Sequence, residues 1–377
     1  MKCYVSQNLI RFLILILLIF NSCTDSTPVR IGFISDLSSR NSQLGIDGRN
    51  GVSLALAKIG EESGIQGRDF ELLIRDHQGD RTLCERRTRE LIDEGVDVII
   101  GPMASGMAAS VINATKDSGT LIIAPTVSTD ELIGLDDNFL RVEAPSLHQG
   151  EYLAEAVLFS GNKRICLIYD EKNSSYVEGV ISGFKSRIVS SDVDILEILP
   201  FGDKAEFPDL VETIGRSKPD SLLFMASGID TAGIIQQYAK SHPLPSLYGS
   251  SWVKATGVLE YGGKALEGMM LVDSYMNKIP LIAEVEFVEH FSAKYGVEPT
   301  HPSIHAYEAM LLYAEALEIS DSTNPLKIKE AIIRMDEIQG IKGVYRIDEF
   351  GDALRPLSYY LIEDGEIKLI ELSGVVR

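Results

Sequence analysis

The sequence is short of cysteine, of tryptophan and, above all, of positive charge. Its 377 residues hold four Cys and one Trp, and 55 Asp and Glu face 35 Lys and Arg, a formal net charge of −20. A surface of that sign repels nucleic acid and anionic lipid headgroups, so neither is an expected partner of the folded chain. So few cysteines exclude a disulfide-stapled scaffold. Cys84 sits in a helical pattern (TLCERRTRELI) and Cys166 in an apolar strand (RICLIYD). An oxidising compartment would permit a bridge, but two buried thiols are the favoured reading. Catalytic signatures are also missing: no G-x-S-x-G elbow, no H-E-x-x-H pair and no P-loop lysine. Gly45, Gly48 and Gly51 (GIDGRNG) fall at helix spacing and do not form the dinucleotide fingerprint. His301 and His305 would share one helix face, yet no third ligand accompanies them, so no metal and no cofactor is expected. With no nucleophile beside a base, the chain does not read as an enzyme.

A single long apolar run is present. Phe12 to Phe20 (FLILILLIF) follows Lys2 and Arg11. It is too short for a bilayer, which takes roughly 20 residues, but suits the core of a signal peptide. It ends at Phe20-Asn21-Ser22-Cys23, which resembles the lipobox of bacterial lipoproteins and implies lipidation of Cys23. Phe20 and Asn21 depart from the usual residues there, and an ordinary secretory signal is the alternative. Residues 1–22 are thus expected to be removed, taking Lys2 and Arg11 with them and leaving a charge of −22. Residues 23–28 then form a tether at the envelope.

The remaining chain is long enough for two domains. Val29 to Ser35, Phe70 to Asp76, Val96 to Ile100 and Thr120 to Ala124 are apolar runs separated by amphipathic stretches of helical period. That pattern predicts βαβ units around a parallel sheet buried on both faces. It restarts at Arg164 to Asp170 and continues through Val193 to Leu199 and Pro219 to Met225. Helices are expected at 282–295, 302–318 and 325–335. A hairpin turning at Asp364-Gly365 closes the chain. Two series imply two lobes.

IGFISDLSSRNSQLGIDGRNGVSLALAKI, LLIRDHQGDRTLCERRTRELIDEGVDVIIGPMASGMAASV, FLRVEAPSLHQGEYLAEAV and AYEAMLLYAEAL occur in this order. In sequence and spacing the chain resembles the type I periplasmic binding proteins, in the leucine/isoleucine/valine-binding branch that feeds ABC importers. The resemblance covers about residues 29–365. It implies two Rossmann-like α/β lobes joined by a hinge of three crossovers, near 142–146, 249–252 and 344–348. Lobe I is then 28–143 plus 251–343, and lobe II 144–250 plus 344–377. It further implies capture of a small polar ligand, an amino acid or another carboxylate-bearing compound, and its delivery to ABC permease subunits. A sensor presenting its closed form to a membrane receptor or kinase is the alternative, and an enzyme on the same fold a remoter one.

In parallel α/β lobes ligands bind beyond the carboxyl ends of the strands, where helix N-termini carry free N–H groups. Two loops fit, Gly101 to Ser105 and Pro125 to Ser128. By resemblance they hold a ligand carboxylate, with Ala104, Ser105 and Ser128 in contact and Val127 contributing backbone. Ser105 is otherwise an N-cap, and Ser128 the start of an S-x-x-E capping box with Glu131. Leu44 aligns with a residue covering the ligand. Tyr176 aligns with a pocket tyrosine, or else serves as a hydrophobic staple. Ser251 and Trp252 fall at the second crossover, where Trp252 forms either a cleft wall or core. Relatives that bind amino acids neutralise the ammonium with an acid from lobe II. The two usual places here read Gly249-Ser250-Ser251 and Ser146-Leu147-His148, and neither holds one. Asp230 is the nearest substitute, or simply a helix cap.

Overall fold

In the computed structural model, residues 27–372 are described apart from 40–41, 62–63, 66, 204–205, 256–257 and 275–280. Cys23 and the apolar run before it lie outside the described residues. No helix among the described residues is long and apolar enough to cross a membrane.

The first series of apolar runs forms β1 (Val29–Ser35), β2 (Phe70–Asp76), β3 (Val98–Ile100), β4 (Leu121–Ala124) and β5 (Phe139–Arg141). They make one parallel sheet in the order β2-β1-β3-β4-β5. Helices α1 (Ser42–Glu61), α2 (Arg81–Asp93) and α3 (Ala108–Thr115) connect them. Because helices cover both faces, the inner strands β1, β3 and β4 are buried at every residue but Arg30 and read as apolar runs, while the edge strand β2 has no fully buried residue.

The second sheet has seven strands in the order β15-β14-β10-β9-β8-β6-β7. It is built from β6 (Arg164–Asp170), β7 (Asp194–Phe201), β8 (Ser221–Met225), β9 (Ser246–Gly249) and β10 (Met270–Ser274), all parallel. The antiparallel hairpin of β14 (Leu357–Glu363) and β15 (Glu366–Ile370) extends it. Its turn is Asp364-Gly365, both at positive φ (57° and 75°), as a two-residue type I′ connection requires. Flanking helices are α4 (Ser146–Ser160), α5 (Ser174–Ile188), α6 (Phe207–Ser217), α7 (Gly228–Ala239), α8 (Ser251–Ala255) and α9 (Val258–Gly262).

The remaining helices, α10 (Ile282–Tyr295), α11 (His301–Ser320) and α12 (Pro325–Ile333), return to the first lobe. Ile304, Tyr307, Leu312 and Ile328 share one buried cluster with Phe33, Val52 and Ile123. A small antiparallel sheet of β11 (Ile338–Gln339), β12 (Val344–Ile347) and β13 (Ala353–Leu354) belongs there too, since Ile338, Tyr345 and Ile347 join the same cluster.

Two of the lobe boundaries read from the sequence are therefore corrected. Residues 251–274 lie in lobe II, because β10 pairs in parallel with β9 (Met270 beside Tyr248) and Val253, Val258 and Leu266 pack with Phe224. Residues 344–354 lie in lobe I. The chain passes between lobes at 142–145, between Ser274 and Leu281, and at 355–356. The sequence reading assigns no strand between residues 241 and 282, where the structure has β9 and β10, and this displaces its second crossover.

Candidate functional site

Both sheets have a switch point, where successive connections leave to opposite sides, and crevices open there beyond the carboxyl ends of strands. In the first lobe the point lies between β1 and β3, and in the second between β6 and β8. The two crevices face each other across a cleft of about 650 Å³. The first lobe lines it with Asp36 after β1, His77 to Thr82 after β2 and Ala104 after β3; the second supplies Lys172, Asn173, Ser227, Asp230 and Trp252. Deeper in lies a recess of about 40 Å³, bordered by Ser105, Thr126, Ser128, Glu143, Tyr176, Ser251 and His301. Leu44, Asn173 and Trp252 border both spaces.

The glycines of α1 serve this geometry. A Cβ on Gly45 would strike the carbonyl oxygen of Asp36, and one on Gly51 that of Ser303. Only glycine lets α1 lie this close to the β1 loop and to α11, and so brings Leu44 to the rim.

The loop residues expected to grip a carboxylate are together in the recess, but their hydrogen bonds run inward. Ser128 N–H donates to Ser105 Oγ at 3.1 Å. Gly106 N–H, at the tip after β3, donates across the cleft to Asn173 Oδ1 at 3.1 Å. Ser105 is not an N-cap: Ala104 precedes the short turn of 3₁₀ helix and no side chain caps it. Nor does Ser128 open a capping box; Thr129 takes that place, accepting from Glu131 N–H. Val127 faces away and is fully buried with Ile99 and Ala124, so its side chain does not border either space. Room for a solute lies outside these loops, where Ala104 borders the larger space.

Tyr176 stands in the first turn of α5, 4 % exposed and packed with Val180 and Leu223, not stapled across the helix start. Its hydroxyl donates to Gln149 Oε1 at 2.8 Å, and its ring meets Trp252 edge-on at 6.0 Å between centroids. Gln149 Oε1 also accepts from Ser251 N–H at 3.2 Å. Trp252 is part cleft wall and part core. Tyr176→Phe, which keeps the ring and removes one buried hydrogen bond, should cost about 1 kcal/mol of stability. Chemical denaturation measures this, and no loss at all would mean that the hydroxyl finds water instead.

Charges of both signs reach the larger space. Asp36 is committed to its own turn, accepting from Ser38 and Ser39 N–H, and Asp80 caps α2 through Leu83 N–H. Asp230, buried at the start of α7, accepts from Ser227 Oγ at 2.9 Å and still borders the cleft. Arg81 and Lys172 supply positive charge. Sequence reasoning found Asp230 but missed Arg81, Lys172 and Asn173, which have no motif and come together only when the lobes meet.

Beneath the recess the crossings carry a buried ionic cluster. His301 Nε2 is 2.7 Å from Glu143 Oε2, and its Nδ1 is 2.8 Å from Asp273 Oδ1. Burial works against the charged ring, but Asp273 and Glu143 outweigh it and push its pKa up to about 9. Burial, and then the charge on His301, drive His305 the other way and keep it neutral. Burial opposes the Asp273 carboxylate as well, yet Lys254 and His301 hold it well below the usual range. Lys254 Nζ lies 2.7 Å from Asp273 Oδ2. Glu143 and Asp273 are the partners that the sequence could not attach to the His301–His305 pair. The third donor that the sequence did not bring beside the two histidines is present in space: Glu143, His301 and His305 each offer a donor atom, all within 4.8 Å. Cys84 and Cys166 are free, buried thiols in different lobes.

The chain matches the family described as periplasmic binding protein over residues 28–366. It is 23 % identical over 345 residues to the leucine-, isoleucine-, valine-, threonine- and alanine-binding protein of Pseudomonas aeruginosa, covering 86 % of this chain and 87 % of that one. A Leu/Ile/Val-binding protein of Rhizobium johnstonii is 26 % identical over 201 residues, a match spanning 52 % of this chain and only 54 % of that relative's length. Among solved structures, an ABC transporter solute-binding protein of R. palustris in complex with benzoate superposes with a TM-score of 0.81 at 20 % identity, covering 91 % of this chain and 95 % of that one.

Proposed function

This chain belongs to the periplasmic binding protein family, and on that premise we propose that it captures a free amino acid between its lobes and delivers it to an ABC importer. The observation that carries this reading is the cleft of about 650 Å³, lined from both lobes at their strand ends. That volume suits a small molecule, and closure of the lobes would bury most of it. A zwitterion matches the lining, with Arg81 and Lys172 for a carboxylate and Asp230 for an ammonium. An ammonium buried without a counter-charge would lose several kcal/mol. The relatives' names support the amino-acid class, while the benzoate complex marks carboxylates without an amine as the competing ligands. Anchoring through lipidated Cys23 completes the proposal and would hold the protein near its permease.

Mass spectrometry of small molecules released from the purified mature protein tests the reading, with isothermal titration of each compound found. Asp230→Asn should weaken binding of the amino acid about 10- to 100-fold, as expected for loss of a charge-assisted hydrogen bond. It should leave binding of the corresponding amine-free acid unchanged. Equal affinity of wild type and variant for the amino acid would place the ammonium elsewhere, and an empty, unresponsive cleft would sink the proposal.

A further inference from the structure

We propose that Glu143, His301 and His305 form a binding site for a divalent transition-metal ion of the Zn²⁺ type at the base of the cleft. Glu143 lies on the first crossing between lobes, and His301 and His305 stand one turn apart at the start of α11. Glu143 Oε2 is 2.7 Å from His301 Nε2 and 3.6 Å from His305 Nε2. A tetrahedral ion with bonds of roughly 2.0–2.2 Å needs its donors about 3.3 Å apart; the two separations from Glu143 bracket that spacing, and all three donors lie within 4.8 Å of one another.

The far nitrogens of both rings are already fixed. His305 Nδ1 is 3.1 Å from the His301 carbonyl oxygen, which can only accept, so Nδ1 carries the proton and Nε2 a lone pair. That Nε2 is buried, has no hydrogen-bond partner among the described residues and points toward Glu143. His301 Nδ1 is held by Asp273 Oδ1 at 2.8 Å. One ring backed by a carboxylate and one by a carbonyl is the outer support that metal-ligating imidazoles use. In the ion-free molecule the His301–Glu143 ion pair occupies the place the metal would take. Lys254 and Arg355 do not occupy it: Lys254 pairs with the other oxygen of Asp273 and Arg355 with Glu308. The recess of about 40 Å³, bordered by Glu143 and His301, has room for a water molecule as fourth ligand. Two imidazoles and one carboxylate favour Zn²⁺ or Co²⁺ over Mg²⁺ or Ca²⁺.

The site does not depend on the identity of the organic ligand, and its test uses metal alone. Chelator-treated mature protein is titrated with Co²⁺ and followed by visible absorption, then with Zn²⁺ by calorimetry. The expected result is a strong four-coordinate Co²⁺ spectrum that saturates at equimolar metal and is bleached by Zn²⁺. Asp273→Asn, which touches no ion, should weaken Zn²⁺ about 10- to 100-fold, and His305→Gln should weaken it by more than that. Circular dichroism establishes that each variant is folded, and the wild-type spectrum decides the matter if one is not. A weak six-coordinate spectrum, no saturable binding, or undiminished Zn²⁺ affinity in folded His305→Gln would overturn the site.

Discussion

Replacing Arg355 by methionine is expected to lower the stability of the first lobe by about 3–5 kcal/mol, the usual cost of leaving one member of a buried ion pair alone. Arg355 stands on the third crossing, with its side chain 4 % exposed, and its guanidinium lies 2.7 Å from Glu308 Oε2, itself 3 % exposed. Its Nε–H donates to the Val142 carbonyl on the first crossing at 3.2 Å, and its guanidinium covers the Tyr345 ring at 4.0 Å. The methionine would fill similar volume but leave the Glu308 carboxylate without its ion-pair partner. Glu308 Oε1 also accepts from Ile341 N–H at 2.6 Å, so glutamine at 308 preserves that bond. The double variant Arg355→Met/Glu308→Gln should therefore recover most of the loss. Urea unfolding of the two variants decides the point. Equal stabilities would mean that the pair contributes packing and little charge.

The second large effect is expected at a helix crossing. A Cβ on Gly183 of α5 would fall on the carbonyl oxygen of Leu147, and one on Gly150 of α4 on the carbonyl oxygen of Val180. Two glycines thus let the backbones of α4 and α5 touch at neighbouring points. Gly183→Val should cost about 3 kcal/mol, toward the upper end of over-packing, because the obstacle is main chain and cannot rotate aside. Gly60, in the last turn of α1 with no atom near its absent Cβ, provides the control. Gly60→Ala should stabilise by roughly 0.5–1 kcal/mol, as alanine in place of glycine does within a helix. Thermal melts of the two variants moving in the same direction would refute the crossing argument.

The alternation of strand and helix was legible in the sequence because the inner strands of the parallel sheets, β3, β4, β6 and β8 among them, are buried on both faces. Ser105 and Ser128 were legible as loop residues at strand ends, and they do meet in the recess. Their orientation was not, because hydroxyls can turn toward a neighbour's N–H as readily as toward a guest. Asn173 was invisible for a related reason: it reaches Gly106 from the opposite lobe, 67 residues along the chain. Glu143 and Asp273 escaped notice because the separation of each from His301 reflects only where the chain crosses between lobes. The short strands β9 and β10, embedded between helices, carried too little pattern to fix the second crossover.

The interleaving of the lobes bears on how the protein is made. Lobe I is complete only when α11 and β12 have been added to a core begun at β1, and lobe II only when β14 arrives from residues 357–363. A chain emerging from the ribosome, or threading N-terminus first through a translocase, cannot seal either core until nearly its whole length is free. Closing each core therefore waits on contacts between segments far apart in sequence, which ties the completion of both lobes to the arrival of the C-terminal part of the chain.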